Sequence, residues 1–149
     1  MAGGKHTGKV VVGFAESFML RKGEPPLPAF SIKPDGAYLI TGGLGGFGRV
    51  LSEWLVECGA RHLILTSRSG ASTPEAKAFL EKLGKRGIDT KVIKADIGSP
   101  KDVKRLIKEV SSASVPLKGI FHLAMVIDDV PLSALNSERL RTVMAPKAH

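Results

Sequence analysis

Short apolar runs alternate with amphipathic segments from residue 37 onward. Runs of five or six residues predict strands at 37–41, 62–66, 90–94 and 118–123. Between these runs, apolar residues recur every three or four positions, which is the spacing of one helix face. This alternation indicates an α/β fold with a parallel, doubly wound sheet in the order 3-2-1-4, of which the chain supplies the N-terminal half.

The helical segments carry recognisable start signals. Thr73 before Pro74, and Ser99 before Pro100, combine a capping hydroxyl with a proline at the first helical position. A last helix is expected from near residue 136 or 137. The first helix carries an apolar stripe that predicts a packing role, rather than a chemical one, for the single cysteine; the stripe comprises Phe47, Val50, Leu51, Trp54, Leu55 and Cys58.

Residues 1–33 have a different character. A strand is predicted at 9–12, with no segment nearby that could pair with it, and a proline-rich stretch typical of a linker follows. We therefore divide the chain into the end of a preceding domain (1–13), a linker (14–33) and a nucleotide-binding part (34–149).

A glycine-rich segment lies between the first predicted strand and the first helix. It reads Thr41, Gly42, Gly43, Leu44, Gly45, Gly46, Phe47, Gly48. Gly43, Gly45 and Gly48 match G-x-G-x-x-G, while Thr41, Gly42, Gly46 and Gly48 match T-G-x-x-x-G-x-G. In a strand-loop-helix context, such glycines bring backbone N–H groups and a helix N-terminus to a pyrophosphate. The segment predicts a dinucleotide site in a Rossmann-type sheet.

The end of the second strand bears on the choice of cofactor. An NAD-binding fold usually carries an acid about 20 residues past the glycines, but Arg68 stands there, between Ser67 and Ser69. A guanidinium pairs well with a phosphate dianion, which favours NADPH over NADH. The alternative is an exposed loop arginine. After the third strand, Asp96 and Ile97 fall where an adenine would lie, although Asp96 could equally form a turn.

Composition narrows the functional classes. The net charge is +8, yet the cations are scattered along helix faces and aromatic residues make up only 5% of the chain, so stacking on single-stranded nucleic acid is poorly supported. A docking surface for an acidic carrier protein remains an alternative. One cysteine allows no intrachain disulfide and fits a cytoplasmic protein. No membrane span, secretory signal or metal site is predicted.

With these motifs in place, the chain resembles the ketoreductase domain of modular and iterative polyketide synthases and animal fatty acid synthases, members of the short-chain dehydrogenase/reductase superfamily. The resemblance runs in order from about residue 34 to the end of the chain. It is carried by residues 38–48, 59–70, 95–97, 119–124, 128–129 and 145–147. Residues 5–12 look like the end of the enoyl reductase domain that precedes the ketoreductase in such synthases.

The resemblance implies NADPH-dependent reduction of a β-ketoacyl group on an acyl carrier protein, beside the other synthase domains. Residues 41–48 would hold the pyrophosphate, and Ser67 with Arg68 the 2′-phosphate. Asp96 and Ile97 would flank the adenine. The backbone of His122, Leu123 and Ala124 would line the cofactor near its ribose, with His122 itself structural.

The resemblance also identifies catalytic and stereochemical positions. Lys147 matches the lysine of the catalytic tetrad, and Asp128 with Asp129 matches a signature for the D-configured alcohol, with Ile127 in place of leucine. The family's serine and tyrosine have no counterpart, because Tyr38 is the single tyrosine. We therefore expect these 149 residues to be inactive alone. Two alternatives remain: a noncatalytic NADP-binding or structural subdomain, and a basic nucleic-acid-binding domain.

Overall fold

The computed structural model describes residues 32–148, so the strand predicted at 9–12 and most of the linker lie outside the described residues. Four strands alternate with helices. The elements are β1 (Ala37–Thr41), α1 (Gly46–Glu57), β2 (His62–Ser67), α2 (Pro74–Lys85), β3 (Asp89–Lys94), α3 (Pro100–Ser111), β4 (Leu117–His122), a 3₁₀ turn (Leu132–Ala134) and α4 (Ser137–Met144). The predicted strand bounds differ from these by at most one residue.

The four strands form one parallel sheet in the order β3-β2-β1-β4. This confirms the predicted order 3-2-1-4 and the Rossmann-like α/β class. Strand β1 is buried along its whole length, because it lies between β2 and β4 and is covered on both faces. Strand β3, more polar in sequence, lies at an edge as predicted.

Polar side chains begin three of the helices. Thr73 Oγ1 accepts a hydrogen bond from the Ala76 N–H at 3.2 Å, and Ser99 Oγ from the Asp102 N–H at 3.4 Å. Asn136 Oδ1 accepts from the Arg139 N–H at 2.9 Å. Each bond satisfies a backbone donor that the first helical turn leaves unpaired, which explains why the helices begin where they do.

Two hydrophobic clusters hold the layers together. Leu55 of α1 and Phe79 and Leu83 of α2 pack on one face of the sheet, against Ile40 and other side chains of β1 and β2. On the opposite face, a smaller cluster brings residues of α3 against the three strands β1, β2 and β3; it comprises Ala37, Leu39, Ile64, Ile93, Leu106 and Val110. Burial on both faces is what a parallel sheet requires.

The packing of α1 differs from the apolar stripe read in the sequence. Phe47, Val50 and Trp54 are 70%, 65% and 45% exposed, and Cys58 is also exposed, so the packing role predicted for Cys58 was wrong. The residues of α1 that are buried are Gly48, Ser52, Leu55 and Val56. Near its N-terminus the helix approaches the glycine loop so closely that small residues, Gly48 and Ser52, occupy the buried side. Among the described residues, no helix is long and apolar enough to cross a bilayer.

Candidate functional site

A cleft of about 910 Å³ opens where β1, β2, β3 and β4 end. Open parallel α/β sheets bind ligands at this edge, outside the carboxyl ends of the strands. The cleft brings together most residues singled out from the sequence: Gly42, Leu44, Gly45, Gly46, Phe47, Gly48, Ser67, Arg68, Ser69, Asp96, Ile97, His122, Leu123, Ala124 and Lys147. Thr41 and Gly43 are buried beneath it, and Asp128 and Asp129 do not line it.

Two glycines of the loop are fixed by close backbone approaches. Gly42 has φ +69°, a left-handed conformation, and a Cβ there would stand 3.1 Å from backbone atoms of Leu123 and Ala124. A Cβ on Gly48 would lie 2.4 Å from the Gly42 carbonyl oxygen. Any side chain at Gly48 would push α1 away from the loop. The glycine pattern is thus needed to bring loop, helix and β4 together.

The N-terminus of α1 is open toward the cleft. Of the four α-helices in residues 32–148, α1 is the one that begins without a side-chain cap; its N-cap residue is Gly45, and its first turn carries no acid. Gly46 lines the cleft, and a Cβ built there would meet nothing within 4 Å. Uncapped N–H groups and the positive end of the helix dipole favour an anion here.

The loop after β2 presents a cation to the same cleft. Ser67 Oγ donates to the Gly70 carbonyl oxygen at 3.0 Å, and Gly70 turns the chain with φ +67°. Arg68 and Ser69 are exposed at the rim, and Arg68 forms no ion pair within the described part of the chain. The guanidinium is therefore available to an anionic ligand.

The turn after β3 engages the side chain of Asp96. Its Oδ1 accepts from the Gly98 N–H at 2.9 Å, so the side chain does form a turn. The Asp96 N–H in turn donates to Asp102 Oδ2 at 2.9 Å. This bond, helped by Arg105 and opposed by desolvation, holds the pKa of the Asp102 carboxyl below its usual value. Asp96 and Ile97 are thereby fixed at the cleft wall.

A polar network joins the end of β1, the end of β4 and the residues after α4. Thr41 Oγ1 lies 2.7 Å from His122 Nδ1, and His122 Nε2 lies 2.8 Å from the Pro146 carbonyl oxygen. Lys147 Nζ donates to the His122 carbonyl oxygen at 3.4 Å. The network brings the ammonium of Lys147 to the cleft beside the glycine loop.

Asp128 and Asp129 lie on the irregular segment between β4 and α4. Asp128 Oδ1 accepts from Arg139 Nη1 at 2.5 Å, a pairing that ties this segment to α4. Asp129 is exposed.

Several residues that line the cleft were not foreseen as site residues. They are Thr66, Gly70, Thr73, Ala76, Ala95, Gly98, Met125, Val126, Thr142, Ala145 and Pro146. Thr66 and Ala95 could have been found, since they immediately precede the predicted residues Ser67 and Asp96. The position of Thr142 in the cleft depends on where α4 packs, and no local pattern predicts that packing.

Within residues 32–148, no cluster of three or more His, Cys, Asp or Glu side chains could hold a metal ion.

Comparison with protein families places these features in a known context. Residues 36–149 match the KR domain family. The chain is 37% identical over 147 residues, 99% of its length, to a highly reducing polyketide synthase of Purpureocillium lilacinum. It is 40% identical over 149 residues, again 99% of its length, to a phenolphthiocerol/phthiocerol polyketide synthase of Mycobacterium tuberculosis. It spans only 6% and 7% of these two synthases.

Solved structures share the architecture. An N-terminal ketoreductase from the macrolactin assembly line superposes with a TM-score of 0.72 at 36% identity, over 81% of this chain and 25% of that one. A structure of A-type ketoreductases from a modular polyketide synthase gives a TM-score of 0.70 at 34% identity, over 84% and 27% of the two chains.

Proposed function

Because this chain belongs to the KR domain family of polyketide synthases, we propose that it forms the cofactor-binding part of an NADPH-dependent β-ketoacyl reductase. The substrate is a β-ketoacyl group carried on an acyl carrier protein, and the product is the β-hydroxyacyl group. The observation that carries this proposal is one cleft that combines an open helix N-terminus, the guanidinium of Arg68 and the ammonium of Lys147.

The residues present fit a dinucleotide phosphate. The empty space facing Gly46, where a Cβ would meet no protein atom, lets a pyrophosphate approach the backbone of the loop. The N–H groups at the start of α1 would donate to its oxygens. Arg68, flanked by Ser67 and Ser69, would bind the 2′-phosphate that distinguishes NADPH from NADH.

The opposite wall would hold the remaining parts of the cofactor. Asp96 and Ile97 would flank the adenine, with Asp96 accepting from its amino group through an oxygen not used by Gly98. The backbone of Leu123 and Ala124, packed against Gly42, would lie along the ribose. In this arrangement the hydride of NADPH is the reductant.

Lys147 is the catalytic residue that this part of the domain contributes. Its ammonium would orient the nicotinamide ribose and lower the pKa of a neighbouring tyrosine that protonates the developing alkoxide.

Tyr38, the single tyrosine in the sequence, cannot act as this proton donor. Its side chain is buried in the core on the face of the sheet covered by α1 and α2, its hydroxyl accepts from the Lys33 N–H at 2.6 Å, and it does not line the cleft. These 149 residues should therefore bind NADPH without turning it over.

The same resemblance predicts how this chain is joined to neighbouring domains and which side of the site faces the substrate. Residues 1–13 would end an enoyl reductase domain, 14–33 would link it to the ketoreductase, and the remainder of the ketoreductase would supply the serine and tyrosine. Asp128 and Asp129 would lie on the substrate side and favour the D-configured alcohol, and the Asp128–Arg139 pair would hold that segment in place.

The test is a reductase assay on a longer polypeptide that contains these residues within a complete KR domain. With a β-ketoacyl thioester it should consume NADPH, and Lys147→Met should lower kcat by about 100-fold. Lys104→Met, on the exposed face of α3, serves as the matched control and should leave kcat unchanged. A complete domain that binds no NADPH and reduces no thioester would refute the proposal.

A further inference from the structure

The ring of His122 connects two segments that are far apart in the sequence. Nδ1 lies 2.7 Å from the hydroxyl of Thr41, at the end of β1, and Nε2 lies 2.8 Å from the Pro146 carbonyl oxygen, after α4. Pro146 directly precedes Lys147. The ring thus stands between the first residue of the glycine segment and the peptide from which Lys147 projects.

Counting donors and acceptors assigns the proton of this ring. The Thr41 hydroxyl accepts from the Ala124 N–H at 3.2 Å, and from the Leu123 N–H, which it shares at 3.2 Å with the Thr41 carbonyl oxygen at 3.1 Å. A hydroxyl has two lone pairs and one proton, and because both lone pairs face N–H groups, its proton is directed at His122 Nδ1. Nε2 then carries the ring proton and donates it to the Pro146 carbonyl. The Nε2–H tautomer satisfies both contacts.

The same segment returns to His122 through Lys147. The Lys147 N–H donates to the Met144 carbonyl at 2.7 Å, and its Nζ donates to the His122 carbonyl at 3.4 Å. Helix α4, which delivers this segment, has no buried residue. Polar contacts rather than hydrophobic burial therefore fix where Lys147 stands.

We infer that His122 is a positioning residue for Lys147. Its ring couples the Thr41 hydroxyl to the Pro146 peptide and so sets the position of the Lys147 ammonium in the cleft. This inference rests on the catalytic role proposed above for Lys147. It gives the imidazole ring a role of its own, separate from the backbone contact expected of residues 122–124.

Two substitutions separate the two contacts of the ring. In His122→Gln the amide reaches the position of Nε2 and keeps the link to Pro146, whereas in His122→Asn it reaches only the position of Nδ1 and keeps the link to Thr41. In a complete KR domain, His122→Asn should lower kcat about 10- to 100-fold, because the catalytic group is misplaced. His122→Gln should stay within about threefold of the parent, and NADPH affinity should change little in either.

The matched control is His62→Gln. His62 begins β2, where its ring lies 3.0 Å from Asp89 at the end of the sheet remote from the cleft, and its loss should leave kcat unchanged. If the His122 ring merely fills space, the Gln and Asn variants should lose kcat equally. That outcome would overturn the inference.

A second measurement needs neither cofactor nor activity, so it separates this inference from the proposed reaction. NMR of the 149-residue chain with nitrogen-labelled histidine should show His122 protonated at Nε2 and unprotonated at Nδ1. The Cε resonance of Lys147 should be the same in the parent and in His122→Gln but shifted in His122→Asn. A proton on Nδ1, or a Lys147 resonance that shifts equally in both variants, would overturn it even if the complete domain is an active reductase.

Discussion

The sheet face covered by α1 and α2 and the region formed by β4 and α4 are held together by different forces. Strand β1 is buried at every position, and α2 buries Ala76, Phe79 and Leu83. Strand β4 instead alternates between half-buried and exposed residues, and α4 buries none. The glycine loop is part of the first region, while Lys147 and Asp128 belong to the second.

This contrast shows that close packing holds one part of the site and polar contacts hold the other. The loop that would hold the cofactor is fixed by close packing of backbone and apolar side chains. The residues that would act on the substrate are fixed by polar contacts, chiefly those of His122 and the pair formed by Arg139 and Asp128. Large apolar side chains remain exposed around the second region: Ile120, Met125, Ile127, Leu132, Leu135, Leu140 and Met144.

The largest expected difference between the regions is in stability. Leu55 of α1 is fully buried, whereas Leu140 of α4 is 53% exposed. Leu55→Ala should cost about 2–5 kcal/mol of unfolding free energy, because it leaves a cavity under the sheet. Leu140→Ala should change it by less than about 0.5 kcal/mol. Urea unfolding of both variants measures this; equal losses would show that the two regions are packed alike.

Two glycines of the loop should respond in opposite ways. Gly48→Ala should cost about 1–3 kcal/mol, because its Cβ would lie 2.4 Å from the Gly42 carbonyl oxygen. Gly46→Ala should leave stability unchanged or slightly higher, since its Cβ meets nothing within 4 Å. NADPH affinity should nevertheless fall at least about tenfold in Gly46→Ala. Unaltered affinity there would argue against a pyrophosphate at the start of α1.

The pair formed by Arg139 and Asp128 should matter for local order more than for global stability. The two side chains are 39% and 31% exposed, so Arg139→Met should cost at most about 1 kcal/mol. Amide hydrogen exchange should speed up in α4 and in the segment around Asp128, with α2 unaffected. Faster exchange throughout the sheet would contradict a local attachment.

The smallest effect concerns pH. The Asp96 N–H, with Arg105, lowers the pKa of Asp102. This carboxylate therefore stabilises the fold at pH values above the ordinary pKa of an aspartate, about 3.9. The contribution is lost as the pH falls through the lower pKa of the folded state. Acid unfolding of Asp102→Asn should lack this contribution and depend less steeply on pH below about 3.9. An identical pH dependence in the two proteins would contradict it.

Local signals in the sequence predicted the fold closely. Apolar runs located the four strands, and Thr73-Pro74 and Ser99-Pro100 located two helix starts. The rotation of α1 was not predictable in this way, because periodicity finds an apolar stripe without showing which part of it faces the sheet. The close approach of Gly48 to the loop turns Ser52 inward and leaves Phe47 and Trp54 at the surface.

The candidate site was predictable where it follows strand ends. The residues after β1, β2, β3 and β4 converge on the cleft because parallel strands share their carboxyl edge. The contacts from His122 to Pro146 and from Arg139 to Asp128 depend on how an exposed helix docks. No apolar pattern in the sequence predicts that docking, so these contacts could be identified only from the structure.

The most direct test of the central claim is a fluorescence titration of the 149-residue chain with NADPH and with NADH, in the parent and in Arg68→Ala. We expect the parent to prefer NADPH. In Arg68→Ala, NADPH affinity should fall about 10- to 100-fold while NADH affinity stays the same, because a charge-assisted phosphate contact is lost. A parent that binds both cofactors equally, or an Arg68→Ala variant that loses both equally, would contradict the account.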